Sequence, residues 1–175
     1  MLVKKQGIQN PKNMKKYFKL KNLLILLVLI LILIQFYRPA KNISTEISSN
    51  SILTAVVVPQ EVEQILKTSC YDCHSNNTVY PWYNNIAPVS WWLDNHVKEG
   101  KKELNFDEWA NYTDKRKNHK LKEIKEQTEE KEMPLKSYLW IHNDAKLSDS
   151  QIKTLVDWAR ILNPDIDKEE VSAEH

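Results

Sequence analysis

Glycine is almost missing from this 175-residue chain, with Gly7 and Gly100 as its only two. A chain so poor in glycine does not build Gly-rich phosphate loops or glycine-dependent hairpins. Alternating strand patterns are missing too: the β-branched run Val56-Val57-Val58 is short, and the expected fold class is all-α. Acidic residues are absent from residues 1–45, which hold nine basic ones. The remainder carries 16 Lys and Arg against 23 Asp and Glu, a balance of −7. The folded part is therefore acidic, which argues against a nucleic-acid partner. Six tryptophans, by contrast, are many for this length, and they suit a dense aromatic core or a large flat apolar ligand.

Leu23 to Ile34 is an unbroken aliphatic run preceded by seven lysines and followed closely by Arg38 and Lys41. No polar face interrupts it, so it does not pattern as a core helix. The charge bias keeps its N-terminal side in the cytoplasm and exports the chain beyond it. Its length falls between a secretory h-region and a full span of about 20 residues. Phe36-Tyr37-Arg38-Pro39-Ala40-Lys41 offers no A-x-A-type cleavage site, and no lipobox cysteine is present, so the segment reads as an uncleaved signal anchor. Met14-Lys15-Lys16 resembles an ordinary signal start, which makes 1–13 an extension. The expected organisation is a basic cytoplasmic N-terminus at 1–21, a transmembrane signal anchor at 22–37, a tether at 38–54, a helical domain at 55–163 and a charged tail at 164–175.

Within that domain the apolar period is helical. Pro59 suits a helix start, and Val62, Ile65, Leu66 and Ser69 follow on one face leading into Cys70 and Cys73. After Pro88, the positions Val89, Trp92, Leu93, His96 and Val97 share a face, with Gly100 where a helix C-terminus favours one. Asn105 to Glu108 resembles a capping box presenting Trp109 and Tyr112, and Leu121, Ile124 and Thr128 form a thin stripe in a charged segment. Ser148 with Gln151 caps a last helix whose buried face is Ile152, Leu155, Val156, Ala159 and Leu162, stopped by Pro164.

The chemistry concentrates in Cys70-Tyr71-Asp72-Cys73-His74. Cysteines three apart on a helix face one way, and the next residue offers an imidazole to the same place. That is the spacing of covalent haem c attachment, one haem through two thioethers with His74 as proximal iron ligand. Three other chemistries use the same residues. A disulfide would close a loop too small to stabilise much. A redox dithiol belongs at a helix N-terminus in an α/β fold, whereas here a helix precedes the motif. Zinc needs further ligands, and no second CxxC exists.

For a haem, Met133 is the candidate distal ligand: it is the only methionine beyond the anchor, it lies in a polar stretch, and Pro134 follows it. The ordinary alternative is a flexible core filler. His96 competes as a residue on an apolar face, a distal group if not a satisfied core histidine or a propionate donor; His142, His119 and His175 lie in polar surroundings. Trp82 and Trp92 are candidate haem-wall residues, together with Tyr83, Trp91, Trp109, Tyr138 and Trp140, all of which would otherwise be ordinary core.

In order, Cys70-Tyr71-Asp72-Cys73-His74-Ser75, Pro81-Trp82-Tyr83, Pro88-Val89-Ser90-Trp91-Trp92, Asn105-Phe106-x-x-Trp109, Met133-Pro134 and Leu147-Ser148-Asp149 resemble the bacterial haem-binding domain family over about residues 55–160. The resemblance implies a cytochrome c-like helical fold, covalent haem on Cys70 and Cys73, His74 proximal, and a Met-Pro loop delivering Met133. The expected role is a single-pass protein of the bacterial cytoplasmic membrane, its haem domain facing the periplasm. It would pass electrons to redox partners of the respiratory chain or periplasm and would be a carrier rather than an enzyme. The alternative is a peroxidase-like or gas-binding haem protein using His96.

Overall fold

A computed structural model describes residues 11–44, 46 and 48–168, with side chains from Lys16 onward. The first ten residues of the basic N-terminus, and the last seven of the tail including His175, lie outside the described residues. Among the described residues the chain is all-helical, with no β-strand beyond one isolated bridge between Ile43 and Asn77. It forms two compact units: the described part of Met1–Pro39 together with Pro81–Leu93, and Ala40–Tyr80 together with Asp94–His175.

The first unit holds α1 (Pro11–Ile34). Its side chains from Lys16 to Leu33 are all exposed, and Lys16–Ile34 is long and apolar enough to cross a membrane. At ~1.5 Å per residue those 19 residues span roughly 28 Å, against a hydrocarbon layer of about 30 Å. Immediately beyond the helix, Gln35 makes a two-way clasp within this unit. Its Nε2 donates to the Ala87 carbonyl (3.0 Å), and the Ala87 N–H donates back to Gln35 Oε1 (2.9 Å). Two residues on, the Trp91 indole N–H donates to the Tyr37 carbonyl (2.9 Å), and the two rings meet edge to face at 5.7 Å.

The second unit contains the core. Short α2 (Ile52–Ala55) precedes α3 (Gln60–Ser69) and the single turn α4 (Tyr71–His74). The part of α5 (Val89–Glu103) from Asp94 onward leads into a 3-10 turn at Phe106–Asn111, followed by α6 (Asp114–Glu129), short α7 (Lys136–Leu139) and α8 (Asp149–Leu162). α8 packs on both α6 and α3, so the apolar stripes of three helices close on one another around Leu66, Leu121, Leu155 and Trp158. The expected capping box of α8 is complete: Ser148 accepts from the Gln151 N–H, while the Gln151 side chain accepts from the Ser148 N–H. α3 starts directly after Pro59 and buries Val62, Ile65 and Leu66.

Three details differ from the sequence reading. Gly100 lies inside α5, three residues short of its end, and not beyond its C-terminus. A Cβ added there would stand 2.7 Å from the Cys73 carbonyl oxygen, so the glycine serves close approach and no positive φ is involved. Asn105 caps by accepting from Asp107 N–H, but its own N–H donates to the Tyr112 hydroxyl, so Glu108 does not complete a box. Several described residues of the expected tether belong to the second unit and are bonded within it. Asn42 donates to Ser75 and Thr78, Ser48 donates to the Asp107 carbonyl, and Ile52 is fully buried in the core. A polar, serine-rich stretch can be ordered in this way because its side chains satisfy backbone groups elsewhere in the fold.

Candidate functional site

The site is assembled where α3 ends. The Cys70 N–H still donates to Leu66 O, and the chain then re-enters one turn of helix in which the His74 N–H donates to Cys70 O (3.0 Å). The turn places both sulfurs and the imidazole along one cavity of about 270 Å3, whose wall also includes His96, Gly100, Met133 and Tyr138. A neighbouring cavity of about 210 Å3 is walled by apolar core residues including Leu66, Leu104, Phe106 and Leu155. Ser69, Cys70, His74, Glu103, Met133 and Pro134 line both. Two fragments of sequence 59 positions apart, the CxxCH turn and the Met-Pro loop, thus face a shared space.

His74 is held in a defined state. Its Nδ1 lies 2.9 Å from the Leu104 carbonyl oxygen, which can only accept, so Nδ1 carries the proton and Nε2 keeps its lone pair. Burial is the main cause that pushes the imidazole below its ordinary pKa, and the hydrogen bond to Leu104 only partly opposes it. The ring is further fixed edge to face against Phe106, at 6.3 Å. A neutral imidazole anchored through one nitrogen by a carbonyl is the form in which histidine ligates a metal.

The two cysteines are unpaired thiols. Burial, and then the neighbouring Cys73, pushes Cys70 up to about 12; burial, and then Asp72, pushes Cys73 up to about 11. Dithiol exchange and zinc binding both use thiolates, which these surroundings disfavour. Nor is any group of three His, Cys, Asp or Glu side chains placed to hold a metal ion among the described residues.

Met133 is delivered by the end of α6. Beyond Glu129 the chain turns through Lys131, which has a positive φ of 58°. The Glu132 and Met133 N–H groups then both donate to the Gln127 carbonyl, each at 3.0 Å. Met133 is half-buried and Pro134 buried, which places the thioether at the cavity rather than in the core. Across the cavity, Tyr138 donates to Asp72 Oδ2 (2.8 Å) and stacks on His142 at 4.3 Å. Asp72 Oδ1 accepts from Val79 N–H (3.0 Å), and the Asp72 carbonyl accepts from Thr78 (2.6 Å). Asp72, between the two cysteines, therefore ties their turn to the opposite wall. No local sequence pattern signals this clamp, since Asp72 and Tyr138 are 66 positions apart.

Of the candidate residues, Cys70, Cys73, His74, His96 and Met133 come together in the second unit, with Tyr138 among the aromatics. Trp82 and Trp92 belong to the first unit, and both are exposed. Trp140 is exposed as well, whereas Trp109 is buried in the core. The residues along the cavity fit a haem. They supply two thiols on one turn, an imidazole anchored through Nδ1, a thioether on the facing loop and apolar walls. Gly100 additionally leaves the CxxCH turn in direct contact with α5, without side-chain bulk between them.

One protein family, described as a haem-binding domain, matches the chain over residues 29–161. No curated protein and no solved structure matches it.

Proposed function

The chain belongs to the haem-binding domain family, and on that basis we propose that it is a membrane-anchored c-type cytochrome that transfers electrons on the outer side of the cytoplasmic membrane. The observation that carries the proposal is the convergence of Cys70, Cys73, His74 and Met133 on one cavity. Cys70 and Cys73 would hold the haem through thioethers. His74 would be the proximal ligand through Nε2, with the Leu104 carbonyl fixing its tautomer, and Met133 the distal ligand. A bound haem supplies a one-electron iron centre. The protein's part is to hold both axial groups in place and to keep water from the ring, and Phe106, Leu104 and Leu66 provide apolar wall for the latter.

The anchor in this proposal is α1. Seven lysines precede its aliphatic run, which favours an N-terminus in the cytoplasm and a haem domain outside. The acidic exported part favours basic redox partners of the respiratory chain or periplasm. A pyridine haemochrome spectrum of protein produced with a cytochrome c maturation system tests the attachment. The expected result is one haem per chain that stays with the denatured polypeptide, and haem extracted by acid acetone would overturn covalent attachment.

His96 lines the same cavity as Met133, which supports a second reading as a peroxidase-like or gas-binding protein with His96 as distal acid–base group. Peroxide turnover abolished by His96→Ala would favour it over electron transfer.

A further inference from the structure

Pro81–Leu93 lines neither of the two cavities beside the CxxCH turn. In a protein with 27% charged residues, these thirteen positions contain none, yet they include Trp82, Tyr83, Trp91 and Trp92. Several of their apolar side chains face outward: Trp82 is 76% and Trp92 47% exposed, and Ile86 and Val89 are exposed as well. Val89 and Trp92 stand three apart at the start of α5 and so share a face. The inward side of the segment is taken by Ala87 and Ser90, which are buried. An uncharged outer face of this kind is costly in water and suits the headgroup layer, where tryptophan rings are enriched.

The first unit itself says at what depth this face lies. Gln35 directly follows Ile34, the last residue of α1, and its amide is locked to the Ala87 backbone in both directions. Trp91 is bonded to the Tyr37 carbonyl two residues farther along. Where the span ends, therefore, Pro81–Leu93 begins. Phe36 and Tyr37, also exposed, continue the aromatic surface, and the exposed Arg38 adds a positive charge beside it.

We propose that Pro81–Leu93 is a second membrane contact, with Trp82, Ile86, Val89 and Trp92 seated in the headgroup layer of the bilayer that α1 crosses. The proposal rests on the reading of α1 as a membrane span. Its consequence is that the protein is held to the membrane surface by two segments and not by a single helix.

Photocrosslinking of the full-length protein in membranes of the expressing cells tests it. Benzoylphenylalanine is incorporated singly at positions 82, 92, 27 and 161; Leu27 is mid-span, and Ile161 is an exposed residue of α8. Lipid adducts are expected at 27, 82 and 92, at least about tenfold above the yield at 161, because interfacial aromatic positions contact lipid. Adducts at 27 but not at 82 or 92 would overturn the second contact and leave the span intact. Adducts at 82 and 92 to protein instead of lipid would assign the face to a protein partner and also overturn it. Absence of lipid at 27 would overturn the span, and the proposal with it.

Discussion

Gly100 and Cys73 are in direct contact: a methyl group on Gly100 would meet the Cys73 carbonyl oxygen at 2.7 Å and its Cβ at 3.0 Å. The nearest partner atom belongs to the backbone of the CxxCH turn, and α4 is fixed to α3 on one side and to Asp72's partners on the other. Neither helix can yield at the end of a flexible side chain.

Gly100→Ala is accordingly expected to destabilise. Alanine in a helix interior gains about 1 kcal/mol over glycine, and overpacking against rigid backbone costs about 1–3 kcal/mol, so the clash prevails. Thermal melting of the purified protein checks the stability, and haemochrome absorbance per chain checks attachment. Both are expected to fall.

Met133→Ala removes the proposed distal ligand while leaving a half-buried position in a loop already tied to α6. The expected stability loss is about 1 kcal/mol, below the usual range for a fully buried methionine. The reduced variant should bind carbon monoxide rapidly, and the reduced wild type should not. Rapid binding by the wild type would remove Met133 from the iron.

The raised thiol pKa values predict slow alkylation of haem-free protein. With Cys73 at about 11 and Cys70 at about 12, the thiolate fraction near pH 8 is roughly a hundredfold or more below that of a free cysteine. Iodoacetamide should therefore label the folded apoprotein far more slowly than the same chain in urea. Equal rates would show that the thiols are solvated.

His74 makes the apoprotein pH-sensitive in one direction. The unfolded imidazole takes up a proton near its ordinary value of about 6.5, whereas the buried one resists until the pH is lower. Stability linked to this residue is thus fully present above about pH 6.5 and is lost as the pH falls toward the folded value. Urea denaturation across this range, on apoprotein with and without His74→Phe, should give a flatter profile for the variant.

Much of the site was legible because its signals are local. The CxxCH turn, the lone Met133 and the Ser148–Gln151 capping box each lie within a few consecutive residues, and the apolar stripes of α3 and α8 follow the helical period. The unread part depends on contacts between distant segments. Gly100 near the end of a helical pattern looks the same whether it stops a helix or admits another backbone. Ser48, Ser51 and Asn42 look like linker residues until their partners at Asp107, Leu53 and Ser75 are known. Tryptophan was a poor guide for a similar reason: its size favours burial, but Trp82, Trp92 and Trp140 are exposed and only the fold reveals which are which.

The bonds from Glu132 and Met133 to the Gln127 carbonyl make the last turn of α6 the ruler for the Met-Pro loop. One residue inserted within α6 would turn everything after it by about 100° and carry the thioether off the cavity, because the helix completes a turn every 3.6 residues. Among related chains, the count of residues from Gln127 to Met133 should therefore stay fixed.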